Sequence, residues 1–324
     1  MIDLRTSYAG LSLDNPIIVS SSGLTDTPEK IRHLAANGPG AIVLKSLFEE
    51  QILAESGMLT EENAYPEALD YILYYSKSHA IGEYINLIEQ SKKTISQPVI
   101  ASINCVSGSE WTGFARQIET AGADALELNM FMLPVDYDEP ERMEQNYYDI
   151  LQKVMAGIRI PVIAKISPYF SNLNHLVHQF FAMGAKAVVL FNRLYEPDID
   201  INSLRMTSAG VFSTPADLRQ TLRWISLVSD SNRKMDLSAS TGVHDAAAVI
   251  KLLLAGATTV QVCSVLYRNG PEYLRVLLSG LGKWMIGRNF KSLGDFRGSM
   301  SYRNHDDPGT WERTQFMRYF SEGQ

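Results

Sequence analysis

The sequence predicts a (β/α)8 barrel, and three observations carry that prediction. Short β-branched apolar stretches recur along the 324 residues, each followed by a helical pattern. Two signatures introduce these stretches: a helix end closed by glycine, or a proline at the strand's first residue. No Gly-x-Gly-x-x-Gly follows any strand, so the competing doubly wound sheet lacks its dinucleotide fingerprint.

The glycine signature places Gly38 before a strand at 41–45, Gly122 before 125–129, Gly184 before 187–191 and Gly256 before 259–263. The proline signature starts strands at Pro16, Pro98 and Pro161, and a weaker strand at 234–238 completes eight. Helical patterns fall at 27–36, 82–93, 110–120, 141–156, 172–183, 215–228, 245–254 and 271–285. Near-continuous apolar strands alternating with helices mean a parallel sheet covered by helices, and eight such units close into a barrel.

Residues 1–324 read as a single domain with three additions. Residues 4–15 alternate apolar and polar around Gly10, as a hairpin that closes the bottom of the barrel. After the second strand, 46–81 is far longer than an ordinary βα loop and reads as a lid-like insertion carrying Tyr65, Tyr71, Tyr74 and Tyr75. These rings suit either ligand stacking or lid packing. The C-terminal tail, 301–324, has a turn at Asp306-Asp307-Pro308-Gly309 and is expected to pack on the barrel or on a second subunit.

Composition narrows the function. With 45% hydrophobic and 20% charged residues and a net charge of −7, the chain has globular character and no basic surface for holding nucleic acid. The first residues show no export signal and no run of about 18 apolar residues occurs, so a soluble, cytoplasmic protein without a membrane partner is expected. Cys105 and Cys263, at separate strand ends, are expected to be reduced thiols.

Function in such a barrel collects at the C-terminal strand ends. Those ends read Ser22-Gly23, Lys45-Ser46, Asn104-Cys105, Asn129, Lys165, Asn192, Ser240-Thr241-Gly242 and Cys263-Ser264. Two lysines and several amides in one mouth form an electropositive, hydrogen-bonding cup for a planar anionic or carbonyl-rich ligand. The last two strand ends suit a phosphate held by backbone N–H groups and hydroxyls, or simply an ordinary helix cap. His175 and His178 lie three apart with no third ligand, and no metal is expected there. Asp136, Asp138, Glu139, Glu141 and Glu144 read as a solvated helix start.

Taken together, Asn15-Pro16 with Ser22-Gly23, Lys45-Ser46, Glu127-Leu128-Asn129, the run Ala164 to Phe170, Ser240-Thr241-Gly242, the run Val260 to Ser264, Gly256-Ala257 and Gly270-Pro271 form a specific set. The set resembles that of the class 1 dihydroorotate dehydrogenases, flavin mononucleotide (FMN) enzymes on a (β/α)8 barrel, over most of the chain to about Arg297. The resemblance implies that Ser22, Gly23, Lys45 and Ser46 line the flavin ring and that Asn129 and Lys165 hydrogen-bond its polar edge. Gly210, Gly242, Val243, Cys263 and Ser264 match the phosphate-holding positions. Val243 and Cys263 stand where glycines are usual, so contact there depends on their φ angles. Lys45, Asn129 and Asn192 match substrate ligands, and a homodimer with a soluble electron acceptor is implied.

Departures from the family pattern cluster on the substrate side. Asn129-Met130-Phe131-Met132-Leu133-Pro134 stands for the family's Asn-Leu-Ser-Cys-Pro-Asn. Met132 thus occupies the place of the general-base cysteine, and a thioether has no proton to exchange. Pro134 replaces a substrate asparagine, residues 74–80 replace a second substrate motif, and Arg193 replaces a small hydroxyl residue. Cys105 is the first candidate for a substitute base, ahead of His79 and Tyr75.

The expectation is an FMN-dependent oxidoreductase acting on a small substrate such as a cyclic amide. Alternatives are a true dihydroorotate dehydrogenase of pyrimidine biosynthesis and a flavin-binding protein without turnover, which occlusion by Met130, Phe131 and Met132 would favour. A third is a Schiff-base lyase or aldolase using Lys165 or Lys45.

Overall fold

The computed structural model describes residues 2–48, 81–105, 111–133, 140–193, 197–208, 210–232, 234–304, 306 and 308–312. Strands β1 (Thr6–Tyr8) and β2 (Leu11–Leu13) form an antiparallel hairpin. Its turn residues Ala9 (φ 52°) and Gly10 (φ 83°) both take the left-handed conformation that a type I′ turn demands. The Ala9 N–H donates to Asp236 Oδ2 at 2.8 Å, pinning the turn to the base of the barrel.

Then follow β3 (Ile17–Val19), α1 (Pro28–Ala35), β4 (Ala41–Val43), a two-residue strand β5 (Leu47–Phe48), α2 (Ile81–Thr94), β6 (Val99–Cys105), α3 (Trp111–Thr120) and β7 (Ala125–Met130). They continue with α4 (Pro140–Met155), β8 (Val162–Ile166), α5 (Leu173–Met183), β9 (Ala187–Leu190), β10 (Pro197–Asp200), β11 (Arg205–Ser208) and α6 (Leu218–Ser231). The series ends with β12 (Asp236–Ala239), α7 (Ala246–Ala255), β13 (Thr259–Val262), α8 (Ser264–Asn269) and α9 (Tyr273–Gly287). Strands β3, β4, β6, β7, β8, β9, β12 and β13 pair in parallel around a ring that β13–β3 and β4–β6 close. The expected (β/α)8 barrel is therefore the architecture.

Local chemistry explains where the elements start and stop. Pro28 opens α1 behind Thr27, whose hydroxyl accepts the Lys30 N–H, and Asp245 caps α7 by accepting the Ala248 N–H at 2.7 Å. Gly256 ends α7 at φ 117°, and its N–H returns to the carbonyls of Leu252 and Leu253. Added to that strained φ, a side chain there would collide with Ser229.

The core has two parts. Leu, Ile and Val side chains on the outer sheet face pack against the helices. Inside the barrel, Ile18, Val43, Ile100, Ile163 and Val189 form an apolar plug with Tyr8 and Leu13 of the hairpin. Higher up the same inward positions turn polar: Ser102, Glu127, Lys165, Ser240 and Gln261, all buried. That switch marks the functional end.

Two elements lie outside the expected pattern. The β10–β11 ribbon stands off the barrel with Ile199, Ile201, Leu204 and Met206 exposed, so no buried face announces it. Helix α8 is a short turn of its own before α9. In the tail, Arg303 Nε lies 2.9 Å from Asp230 Oδ2 of α6. Most of the expected lid, 49–80, and the last tail residues, 313–324, lie outside the described residues.

Candidate active site

The site is built on a layer of polar side chains placed by strand register. On β6, β7 and β8, Asn104 stands opposite Asn129 and Asn129 opposite Lys165, with Glu127 one inward step lower on β7. The Lys165 ammonium donates to Glu127 Oε1 at 3.2 Å, Gln261 Oε1 at 3.1 Å and Ser20 Oγ at 3.2 Å. Gln261 Nε2 donates in turn to Glu127 Oε2 at 2.7 Å, and Ser20 Oγ donates to Gln261 Oε1 at 3.0 Å. Glu127 is wholly buried, and its charge, after burial itself, helps push the phenols of Tyr8 and Tyr84 upward. Asn104 Oδ1 and Asn129 Oδ1 are buried acceptors with no partner among the described residues. Unpaired buried acceptors are costly, so these two call for an N–H donor from beyond the described residues.

Over this layer opens a cavity of about 450 Å³, within the range of small-molecule sites. It gathers Ser22, Lys165, Asn192, Gly210, Gly242, Val243, Cys263 and Ser264 from the expected set. Gly23, Lys45, Ser46 and Asn129 are not in its lining. The Gly23 carbonyl accepts from Lys30 Nζ at 2.8 Å. Lys45 is buried, which pushes its ammonium pKa down against the opposing pull of Asp26. The Ser46 hydroxyl sits between Ser21 Oγ (3.0 Å) and Ser102 Oγ (2.8 Å).

At the β12–β13 end, Thr241 (φ 82°) and Gly242 (φ 80°) are both left-handed. A Cβ on Gly242 would lie 2.6 Å from Leu218 Cα, so only glycine lets this turn meet the start of α6. Neither Val243 nor Cys263 takes a positive φ, and Cys263 stands at −145°; the residue that carries a glycine-like backbone is Thr241. Ser264 Oγ accepts the Ser213 N–H at 3.0 Å, and Ser213 Oγ lies 3.1 Å from His244 Nε2. Burial, then nearby Arg268, lowers the His244 pKa. Burial raises that of the Cys263 thiol, so it is not an activated thiolate.

Arg193, unlike a small hydroxyl residue, acts as a clamp. Its guanidinium donates to the Gly210 carbonyl at 2.7 Å, the Val211 carbonyl at 3.3 Å and Asp217 Oδ2 at 3.3 Å. Phe212 and Tyr267 stack across the rim with ring centroids 5.1 Å apart.

On the side of Met132, its N–H donates to the Tyr147 hydroxyl at 3.1 Å and its sulfur lies 4.0 Å from Asn146 Nδ2. Met130 is fully buried in the outer core and faces away from the barrel mouth. The side chain of Cys105 and residues Pro134, Tyr75 and His79 lie outside the described residues.

His175 and His178 are exposed on α5. Among the described residues, no cluster of three or more His, Cys, Asp or Glu forms, and no helix is long and apolar enough to cross a membrane.

Ser20, Gln261 and Tyr267 line the cavity and Glu127 lies beneath it, and none of the four was among the expected site residues. Inward alternation from Lys165 and Asn129 is the signal that finds Glu127 and Gln261.

A parallel barrel with amides, a lysine and a cavity of about 450 Å³ at its C-terminal mouth defines a small-molecule-binding barrel. The family profile "Dihydroorotate dehydrogenase" matches residues 67–285, and the chain belongs to that family of flavin-dependent oxidoreductases acting on CH–CH groups. It is similar to "Dihydroorotate dehydrogenase B (NAD(+)), catalytic subunit" of Thermoplasma acidophilum, 29% identical over 308 residues covering 92% of this chain and 99% of the relative. Proteins of the same name from Thermoplasma volcanium and Pyrococcus furiosus are each 27% identical, over 92% of this chain and 98% of the relative.

Proposed function

We propose that the chain binds FMN and passes hydride between it and a small substrate, a cyclic amide or a close analogue, distinct from dihydroorotate. The observation that carries the cofactor reading is the pair of unpartnered buried oxygens, Asn104 Oδ1 and Asn129 Oδ1, on residues in register with Lys165 across β6, β7 and β8. Amide oxygens suit a ring N–H, and an ammonium suits the neighbouring carbonyl edge of an isoalloxazine. Ser22, Gly23, Lys45 and Ser46 would flank the ring. Gly210, Gly242, Val243, Cys263 and Ser264 would hold the phosphate.

When bound, FMN supplies a two-electron acceptor or donor. The chain's part is to exclude water, orient the substrate through Lys45, Asn129 and Asn192, and stabilise charge on the reduced ring with Lys165 and Lys45. Met132 occupies the base position without acting as a base. Cys105 is our first candidate to take the substrate proton. The relatives' name includes NAD(+), which favours a soluble electron acceptor here too, and we take the working assembly to be a homodimer.

A flavoprotein without turnover is the second reading, but Met130 packs in the core, leaving only Phe131 and Met132 as possible occluders. The Schiff-base reading is weakened at Lys165, whose three donors are all engaged, which leaves Lys45 to carry it.

Purified protein with a flavin absorbance band, bleached anaerobically by a cyclic amide from a panel but not by dihydroorotate, is the expected result. Rapid bleaching by dihydroorotate would restore the pyrimidine-biosynthetic reading. A colourless protein that never takes up FMN would overturn the proposal.

A further inference from the structure

We propose that Glu127 is a positioning residue for the flavin: it holds the Lys165 ammonium and cancels its charge, so that the bound ring has a lower reduction potential than an unpaired lysine would give. This inference rests on the FMN reading above.

Lys165, Ser20 and Gln261 line the cavity, whereas Glu127 lies beneath them and does not. Glu127 therefore acts through Lys165. The ammonium has three donors and finds three acceptors, contributed by β7, β13 and the residue just after β3. Both carboxylate oxygens are held, one by Lys165 and the other by the Gln261 amide. When the ammonium turns to a ring acceptor, Ser20 is the partner most readily released, because its hydroxyl already bonds Gln261. The ion pair to Glu127 at 3.2 Å stays, with side chains 5% and 0% exposed.

A structural plug alone does not call for charge here. One inward step below Ser102 and Lys165 on β6 and β8 stand Ile100 and Ile163, both apolar, and apolar replacement of buried pairs is often neutral or stabilising. A net-neutral pair beneath the ring leaves the reduced, anionic flavin less favoured than a lone cation would, because charge acts strongly where water is excluded.

The test uses the FMN-loaded protein and a reference dye, and reads the equilibrium between the two. Glu127→Gln is expected to shift that equilibrium toward reduced flavin by about tenfold or more, or about 30 mV for a two-electron couple. Glu127→Asp, which keeps the charge, should stay within about threefold of the parent. Because Glu127→Gln leaves a buried cation and can misfold, the double variant Glu127→Gln/Lys165→Gln is compared with Lys165→Gln, and removing the carboxylate there should move the equilibrium about threefold or more toward reduced flavin. An unshifted Glu127→Gln, or a double variant whose equilibrium matches that of Lys165→Gln, overturns the inference while FMN binding stands. Failure of the parent to take up FMN at reconstitution overturns both.

Discussion

The backbone N–H of Met132 donates to the Tyr147 hydroxyl across 3.1 Å, tying the end of β7 to helix α4. Tyr147 is fully buried and meets Phe170 edge-on at 5.1 Å, so its ring is fixed by packing and its hydroxyl by the loop. Tyr147→Phe keeps the packing and removes the acceptor. The part-buried amide then loses that partner, and chemical denaturation should show a loss of about 1 kcal/mol. A loss below about 0.5 kcal/mol would show that the loop re-pairs elsewhere.

The same tyrosine predicts how stability responds to alkali. Burial raises the Tyr147 pKa from 10 to about 12, against the lowering effect of the Met132 N–H and Ser167. The unfolded chain therefore loses this proton first. Its contribution is fully present below pH 10, falls as pH rises, and is exhausted beyond about pH 12. Denaturation midpoints measured from pH 9 to 12 should decline less steeply in Tyr147→Phe than in the parent, the difference approaching roughly 2 to 3 kcal/mol.

Thr241 and Gly242 share a left-handed conformation but differ in what they need. Gly242→Ala adds both strain and a clash with Leu218, and should cost at least about 3 kcal/mol or abolish soluble expression. Thr241 already bears the strain. Replacement by glycine and by valine removes the same hydroxyl bond to the Phe191 carbonyl, so the comparison isolates the backbone. Thr241→Gly should be more stable than Thr241→Val by roughly 1 kcal/mol, the αL penalty less glycine's entropy.

Arg193 spans Gly210 and Asp217 with a fork that lysine cannot copy. Its side chain is 25% exposed, so each bond is worth less than in a dry site. Arg193→Ala frees the wall of the phosphate end, and fluorescence titration of FMN into apoprotein should show affinity about tenfold weaker, near 1.4 kcal/mol. Arg193→Lys should not recover it. Parent-like affinity in both variants would detach the clamp from cofactor binding.

Much of the barrel was legible because its punctuation is local. Gly38, Gly122, Gly184 and Gly256 all adopt the positive φ expected of helix ends, and Pro16, Pro98 and Pro161 precede strands. The β10–β11 ribbon was not legible, since Ile199 and Met206 face solvent and no burial pattern accompanies their alternation. Position alone put Asn129, Lys165 and Asn192 at strand ends, and of these Lys165 and Asn192 line the cavity while Asn129 does not. The bonding of Lys165 was beyond reach, because Glu127, Gln261 and Ser20 meet only through the register of strands distant in sequence. The strained residue also escaped, since φ at Thr241 depends on how α6 meets β12, whereas side-chain identity pointed to Val243 and Cys263.

Met132 offers the most direct test of what separates cofactor binding from dihydroorotate turnover. Met132→Cys places an exchangeable thiol at the position we propose matches the family's general base, and general-base catalysis contributes about 10² to 10⁴ in rate. The partly buried side chain packs on the core, so truncation should cost about 1 to 2 kcal/mol of stability, which the fold can absorb. If the base is the main obstacle, dihydroorotate should bleach the flavin of Met132→Cys at least about tenfold faster than that of the parent, with a rate that rises with pH as the thiolate forms. If Pro134, Arg193 and 74–80 have also dismantled recognition of the substrate's amide edges, the thiol has nothing to act on and the rate stays flat. Our reading of a distinct substrate favours the flat outcome for dihydroorotate, since each lost polar partner costs about 1 to 3 kcal/mol and several are lost together. Stopped-flow anaerobic reduction across pH 6 to 9 (roughly the span over which a thiol ionises) separates the two, and a tenfold gain would mean that dihydroorotate still fits this site.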